Sequence, residues 1–273
     1  MYKAEIENII SEALAHSFSE EDNYRFRSSA LPYCARRDLI TRLRRMAGEP
    51  VKRLIRVSNR IAMDNGTAMH AVLQAAMSEE GKLFGDWECA KCSSIKEMQL
   101  FPGKCCGHSY VYKELFIDDE FIGFSGHVDA VIQLTNDNYA LVDFKTVDPK
   151  KYKAKSMDPK HILQISAYRY YLRRPPFNLP IEEAYVAYFS REDRPSFKIF
   201  EIPDGQQYDK QFEMFQKHAI MTEKAVKTGE IDSLPSYCNS ISDEPYCPFN
   251  HMCFGFDFKT ALYYEWQKAK EKK

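Results

Sequence analysis

The sequence predicts an α/β or α+β domain with helices flanking a central sheet. Three observations predict it. Strand-like apolar runs cluster at 111–117, 121–134 and 139–146. Helical periodicity brackets them at 59–79 and 159–173. A second strand pair, 183–191 and 196–202, then precedes a long helical stretch at 206–228. Helices alternating with a mid-chain group of strands bury one apolar face each and so stack as layers.

Taken in order, residues 1–16 read as a helix. ARRDLITRLRRMA at 35–47 has helical spacing and is stopped by Gly48 and Pro50. The helix at 59–79 tolerates Gly66 in its interior. Residues 86–110 read as an irregular, cysteine-rich insertion. TNDNY, which begins at Thr135, has the composition of a hairpin turn between the second and third strands. The tail from 230 is loop-like and rich in Cys and Pro, before a short last helix near 259–271. No repeat or low-complexity tract interrupts this order, and residues 1–273 read as a single domain.

Composition narrows the function classes. Of 273 residues, 44% are apolar and 28% charged, as in ordinary soluble domains. No run of 18 apolar residues marks a membrane helix. MYKAEIENII contains acids and no long apolar core, so it does not read as a secretory signal. The formal net charge is -1, yet Arg36 to Arg60 holds nine Lys or Arg against Asp38 and Glu49. A second basic cluster is Lys150, Lys151, Lys153 and Lys155. Such clusters are solvated faces unless a phosphodiester site lies between them.

YALVDFKTVDPKK, 139–151, poses the chemical question. Asp143 and Lys145 interrupt an apolar strand, and alternation puts both on one face while Phe144 turns into the core. In GFSGHVDAVIQL, 123–134, Asp129 interrupts a second apolar strand. A hairpin between the two strands brings Asp129 beside Asp143. Two converging carboxylates repel unless a cation sits between them, and hard divalent ions take carboxylate oxygens. A lysine there balances charge on a phosphate.

This Asp129, Asp143-x-Lys145 pattern resembles the PD-(D/E)xK nuclease superfamily. Further stretches sharpen the resemblance to its RecB-like exonuclease branch. NGTAMHAVLQ resembles the branch's N-terminal helix motif and supplies His70. YKELFI puts Glu114 at the upstream acid. QISAYRYYL resembles its Q-x-x-x-Y motif, with Gln164 and Tyr168 four apart on one helix face. The resemblance implies a restriction-endonuclease-like core with a mixed central sheet. It also implies that Asp129 and Asp143, the Phe144 carbonyl, His70 and Glu114 hold one or two Mg²⁺ or Mn²⁺. Gln164 and Tyr168 would position the strand or the lysine.

The cysteines form two groups. Cys89-x2-Cys92 followed by Cys105, Cys106 and His108 has the spacing of a zinc ribbon, here an insertion at 86–110. The fourth ligand lies between Cys106 and His108, with an all-thiolate set favoured. Cys34, Cys238, Cys247 and Cys253 resemble the 4Fe–4S staple of AddB and of the CRISPR-associated RecB-like exonucleases, which ties the two ends of the chain together. The family spacing is C-x2-C-x5-C, whereas Cys238 precedes Cys247 by nine positions.

The resemblance gives the basic segments a role. Arg36, Arg37, Arg44, Arg45, Lys150 and Lys151 would track DNA phosphates, with aromatics such as Tyr33 stacking bases. The implied activity is metal-dependent exonucleolytic hydrolysis, on single-stranded DNA in the 5′→3′ direction, in recombination, repair or replication. The alternative is a DNA-end-processing or DNA-binding subunit of a recombination or CRISPR-adaptation complex. No G-x4-G-K-[ST] run is present, so unwinding would fall to a helicase, and recombinase or CRISPR integrase partners fit the same role. An iron–sulfur redox protein is the weaker third class, since the chain has no flavin or nicotinamide Gly-rich turn. The expected location is the cytoplasm of a bacterium, an archaeon or a phage-infected cell, with self-association left open.

Overall fold

The computed structural model describes residues 26–49, 57–134, 138–153, 157–191, 196–231, 234–235, 247, 249–253 and 258–272. The expected helix at 1–16 and Cys238 lie outside the described residues. The chain divides into two compact units. The first comprises the described residues of 54–117 and 126–206, the second those of 17–53, 118–125 and 207–273. Among the described residues no helix is long and apolar enough to cross a membrane.

The first unit is built on an eight-stranded mixed sheet. Its strands are β2 (Leu83–Cys89), β3 (Ile95–Leu100), β4 (Lys104–Cys105), β5 (His108–Lys113), β8 (Ala130–Gln133), β9 (Tyr139–Val147), β10 (Ile181–Ser190) and β11 (Phe197–Glu201). The order is β11-β10-β9-β8-β2-β5-β4, with β3 also paired to β2. Only β9 and β10 run parallel in it. Parallel neighbours need a crossover, which the helices α3 (Pro149–Lys153) and α4 (Pro159–Leu172) supply. Asp158 caps α4 by accepting from the Lys160 amide at 3.1 Å, and Pro159 stands in the first turn, where a missing N–H costs nothing.

Strand β9 is central, and Ala140 through Phe144 are all buried. That explains its nearly continuous apolar sequence. One core cluster joins Leu83, Trp87, Tyr112, Ala130, Val142, Phe144 and Ala187. Helix α2 (Val57–Glu79) packs over the sheet through Leu73 and Met77 and makes a close approach at Gly66. A Cβ on Gly66 would lie 3.1 Å from Thr146 Oγ1, so the glycine noted inside the helix is what permits the approach.

One expectation needs correcting. The 86–110 segment is not irregular: it holds the end of β2, all of β3 and β4, and the start of β5. Cys106 and Gly107 have φ of 54° and 78° and join Cys105 to His108 as a two-residue hairpin turn. Its regularity comes from ladder hydrogen bonds to β2 rather than from an apolar pattern. β3 is exposed or half-buried throughout.

A three-stranded sheet of order β1-β7-β6 contains β1 (Phe26–Arg27), β6 (Leu115–Asp119) and β7 (Phe124–Val128). The second unit carries α1 (Ala35–Met46), α5 (Gln206–Thr228), α6 (Asn250–Cys253) and α7 (Phe258–Glu271). In α1, Ala35, Leu39 and Leu43 recur every fourth residue and are all buried. In α5 the buried stripe is Phe212, Phe215, Ala219, Thr222 and Ala225. The Phe212 ring meets Phe124 edge-on at 5.4 Å. These are the 3.6-residue spacings of helices with one apolar face.

Candidate metal-dependent active site

β8 and β9 form the predicted antiparallel hairpin, with Ala130 opposite Val142. Asp129 immediately precedes Ala130 and Asp143 immediately follows Val142, so both lie at the end of this pairing. The pair is bound through the backbone as well, because the Phe144 N–H donates to Asp129 Oδ2 at 2.7 Å. Lys145 Nζ lies 2.6 Å from Asp143 Oδ2. Asp143 is 1% exposed, yet neither carboxylate oxygen has a donor at hydrogen-bond angles among the described residues. Its contact with Lys145 is therefore an ion pair by distance. A buried carboxylate left in that state is costly unless further positive charge reaches it.

His70, on α2, supplies the second half of the site. Its Nε2 lies 2.9 Å from the Phe144 carbonyl, which can only accept, so Nε2 carries the proton. Burial first, and then the Lys145 charge, push the His70 pKa down, which favours the neutral ring. Nδ1 then presents a lone pair to Asp129 Oδ1 at 3.6 Å. Two lone pairs facing each other make a seat for a cation. Glu114, at the junction of β5 and β6, completes the group: ligand atoms of His70, Glu114 and Asp129 all lie within 4.8 Å of one another. The donor set, two carboxylates and an imidazole beside the buried Asp143, suits a hard divalent ion.

Electrostatics agree with that reading. Burial, then the Asp143 charge, hold the Asp129 carboxyl well above the usual carboxylate range. Burial disfavours the Lys145 ammonium, but Asp143 and Asp129 outweigh it and leave its pKa raised. Lys145 is therefore a cation as the site stands.

Gln74 belongs to the site and was not singled out in the sequence. Its Nε2 donates to Glu114 Oε1 and to the Asp129 carbonyl, both at 2.9 Å. It lies four residues after His70, on the same helix face, and that spacing was the available signal. Tyr188 is a second such residue. It stands opposite Lys145 on β10, its hydroxyl accepts from the Asp158 amide at 3.0 Å, and His161 Nδ1 lies 2.7 Å away. Gln164 and Tyr168 are both buried on α4, and Gln164 Nε2 donates to the Tyr168 hydroxyl at 3.2 Å.

A family model of the PD-(D/E)XK nuclease superfamily matches residues 103–254, more than half of the chain. The chain belongs to the PD-(D/E)XK nuclease superfamily. The mixed sheet flanked by helices is consistent with this membership. Two solved structures resemble the nuclease distantly. SSO0001 is 14% identical, with a TM-score of 0.42 over 93% of this chain and 98% of its own. The alkaline exonuclease LHK-Exo from Laribacter hongkongensis is 12% identical, with a TM-score of 0.40 over 81% and 97%. The family assignment stands on the sequence match alone. No curated protein matches the chain.

The other expected residues fall as follows. Sγ atoms of Cys89, Cys92, Cys105 and Cys106 gather within 4.8 Å of one another. Cys105 lies 3.7 Å from both Cys92 and Cys106. Tetrahedral zinc with bonds near 2.3 Å puts its sulfurs about 3.8 Å apart, so the four fit that ion. His108 is turned away, with Nδ1 2.9 Å from the Cys106 carbonyl. Hydrogen bonds from Ser94 pull the Cys92 thiol down to about 6, while Cys105 and Cys92 push Cys106 up to about 12. A dicationic centre would reverse the second shift. Cys34 is buried just before α1, Cys253 ends α6, and Cys247 is half-buried.

The basic helix is more internally balanced than its sequence suggests. Arg42 is buried and pairs with Asp38 at 2.8 Å and Glu223 at 2.7 Å. Arg44 pairs with Glu265 at 3.1 Å and lies over the Phe249 ring. Arg36 Nε donates to the Leu234 carbonyl at 2.8 Å. Arg37 and Arg45 are half-buried, Lys150 is exposed on α3, and Lys151 is in the same helix. Tyr33 is 3% exposed and its hydroxyl bonds to Asp38 and Thr222, which removes it as a base-stacking surface.

The raised Asp129 pKa carries a sign for stability. A carboxyl whose folded-state pKa lies above its unfolded value favours folding while protonated. That contribution is lost as pH rises from the ordinary carboxylate range through the folded pKa. Asp129→Asn is therefore expected to stabilise the metal-free protein at pH 7 by about 1 kcal/mol, roughly 2–4 °C in Tm. The same variant should lose cleavage. Thermal melts in EDTA test this, and a variant melting below the wild type contradicts it.

Proposed function

We propose that the chain is a divalent-metal-dependent DNA exonuclease of the RecB-like type, acting on single-stranded DNA in the 5′→3′ direction. One observation carries the reading: Asp129, Asp143 and Lys145 converge beside His70 and Glu114, with the buried Asp143 carboxylate paired to the Lys145 ammonium. In this reading Asp129, Asp143, His70 and Glu114 hold Mg²⁺ or Mn²⁺. Bound there, the ion supplies Lewis acidity at the phosphate and a more acidic water. The chain's own residues do the rest. Gln74 fixes Glu114 and the Asp129 backbone before substrate arrives. The Phe144 amide fixes the Asp129 carboxylate. Lys145, held charged by two aspartates, presents an ammonium to the phosphate oxygens as negative charge grows there. Tyr188 and the Gln164–Tyr168 pair support the lysine side of the site.

The proposed ribbon ion is Zn²⁺ on the four thiolates of Cys89, Cys92, Cys105 and Cys106. The proposed staple is a 4Fe–4S cluster on Cys34, Cys238, Cys247 and Cys253. Anaerobic purification should then give a brown protein containing iron, whereas a colourless, iron-free and fully active preparation removes the cluster. Digestion of end-labelled single- and double-stranded DNA with Mg²⁺ or Mn²⁺ tests the function. Progressive loss from the 5′ end of single strands, abolished by EDTA, is expected. Intact DNA under both metals overturns the reading.

A further inference from the structure

Glu114 and Asp129 stand where β6 and β7 meet the metal-binding group. Two residues along each strand, alternation returns to the same face at Phe116 and His127. These two are packed together across the strands, ring centroids 4.6 Å apart and planes 31° from parallel. His127 Nδ1 lies 3.8 Å from Glu114 Oε2, which places the ring beside the rim of the site. Both rings are open to solvent: Phe116 is 43% exposed and the His127 side chain 62%. Their strand neighbours Leu115, Ile117 and Val128, on the opposite face, are buried, and Asp118, two residues beyond Phe116, is exposed with it.

Water gains nothing from an aromatic pair left open beside a carboxylate cluster. A flat, apolar ligand does. The occupant must also reach the metal-binding group with an anionic moiety, since the pair and the group share one face. A nucleotide has both parts: a base with a π face, and a phosphate. We propose that Phe116 and His127 form a ledge on which the base next to the scissile phosphate stacks, extending the existing two-ring stack by a third. This inference rests on the nuclease reading and adds to it the contact that seats the strand.

Base stacking on an aromatic side chain contributes on the order of ten-fold in binding. Phe116→Ala and His127→Ala should each raise KM for single-stranded DNA about ten-fold, with kcat for Phe116→Ala held within about two-fold. His127→Phe should restore KM, because it keeps the π face and loses only the polar edge. In a Lys145→Ala background, which binds without cutting, fluorescence of 2-aminopurine placed at the strand end should be quenched, and Phe116→Ala should relieve the quenching. Unchanged KM in either alanine variant overturns the ledge. So does restoration by His127→Gln but not by His127→Phe, which would make the contact polar. A wild-type protein that cuts no DNA fails the nuclease reading instead, and the two failures are told apart by that control.

Discussion

Lys145→Ala is expected to lower the cleavage rate by roughly 10²–10³-fold while leaving DNA binding within a few-fold of wild type. Lys145 Nζ sits 2.6 Å from a carboxylate that is 1% exposed, so it is a fixed charge in a poorly screened place. It pre-exists the reaction and needs no reorganisation when charge develops on the phosphate. Removing it also strips Asp143 of its sole cationic neighbour on the strand, which should make the site more avid for divalent ions. A Mn²⁺ titration followed by tryptophan fluorescence or calorimetry should therefore show equal or tighter binding in the variant. Lys145→Met, which preserves the alkyl volume, separates charge from packing. Normal turnover in either variant would falsify the assignment of the site.

Cys89→Ser is expected to release one zinc per chain and to lower thermal stability sharply, since structural zinc contributes many kcal/mol to small sites. Cys89 is 1% exposed at the end of β2, and that strand pairs with β3, β5 and β8. Loss of the ion at one end therefore loosens a strand that bonds directly to the one following Asp129. The ribbon also leads through β5 into Glu114, so metal affinity at the active site should fall with it. Elemental analysis and melting with and without a chelator check this. Wild-type protein free of zinc would remove the ribbon ion.

Much of the site was legible because burial leaves charge few excuses. An aspartate and a lysine inside the apolar run of β9, and Asp129 just before β8, announced themselves against their surroundings. The hairpin between them followed from turn composition. His70, Gln164 and Tyr168 entered through the resemblance alone, and their contacts with the Phe144 carbonyl and with each other needed the fold. Gln74 required knowing that Glu114 and the Asp129 carbonyl converge on one helix position from opposite directions in the chain. Phe116 and His127 required the register of a hairpin. The strands of the ribbon escaped because IKEMQL is exposed and polar, so no apolar alternation marks it. Arg42 and Arg44 lie in the basic run, and besides Asp38, one turn from Arg42, their carboxylate partners Glu223 and Glu265 are 181 and 221 residues away, beyond any local pattern.

Those two arginines bear on how the nuclease should respond to ionic strength. A guanidinium already matched by a carboxylate holds few condensed anions of its own and frees none when a polyanion docks. The formal excess of positive charge between Arg36 and Arg60 thus overstates the number of ions displaced on binding. Helix α1 owes part of its basic composition to cohesion with α5 and α7, and only the remainder is available to a nucleic acid.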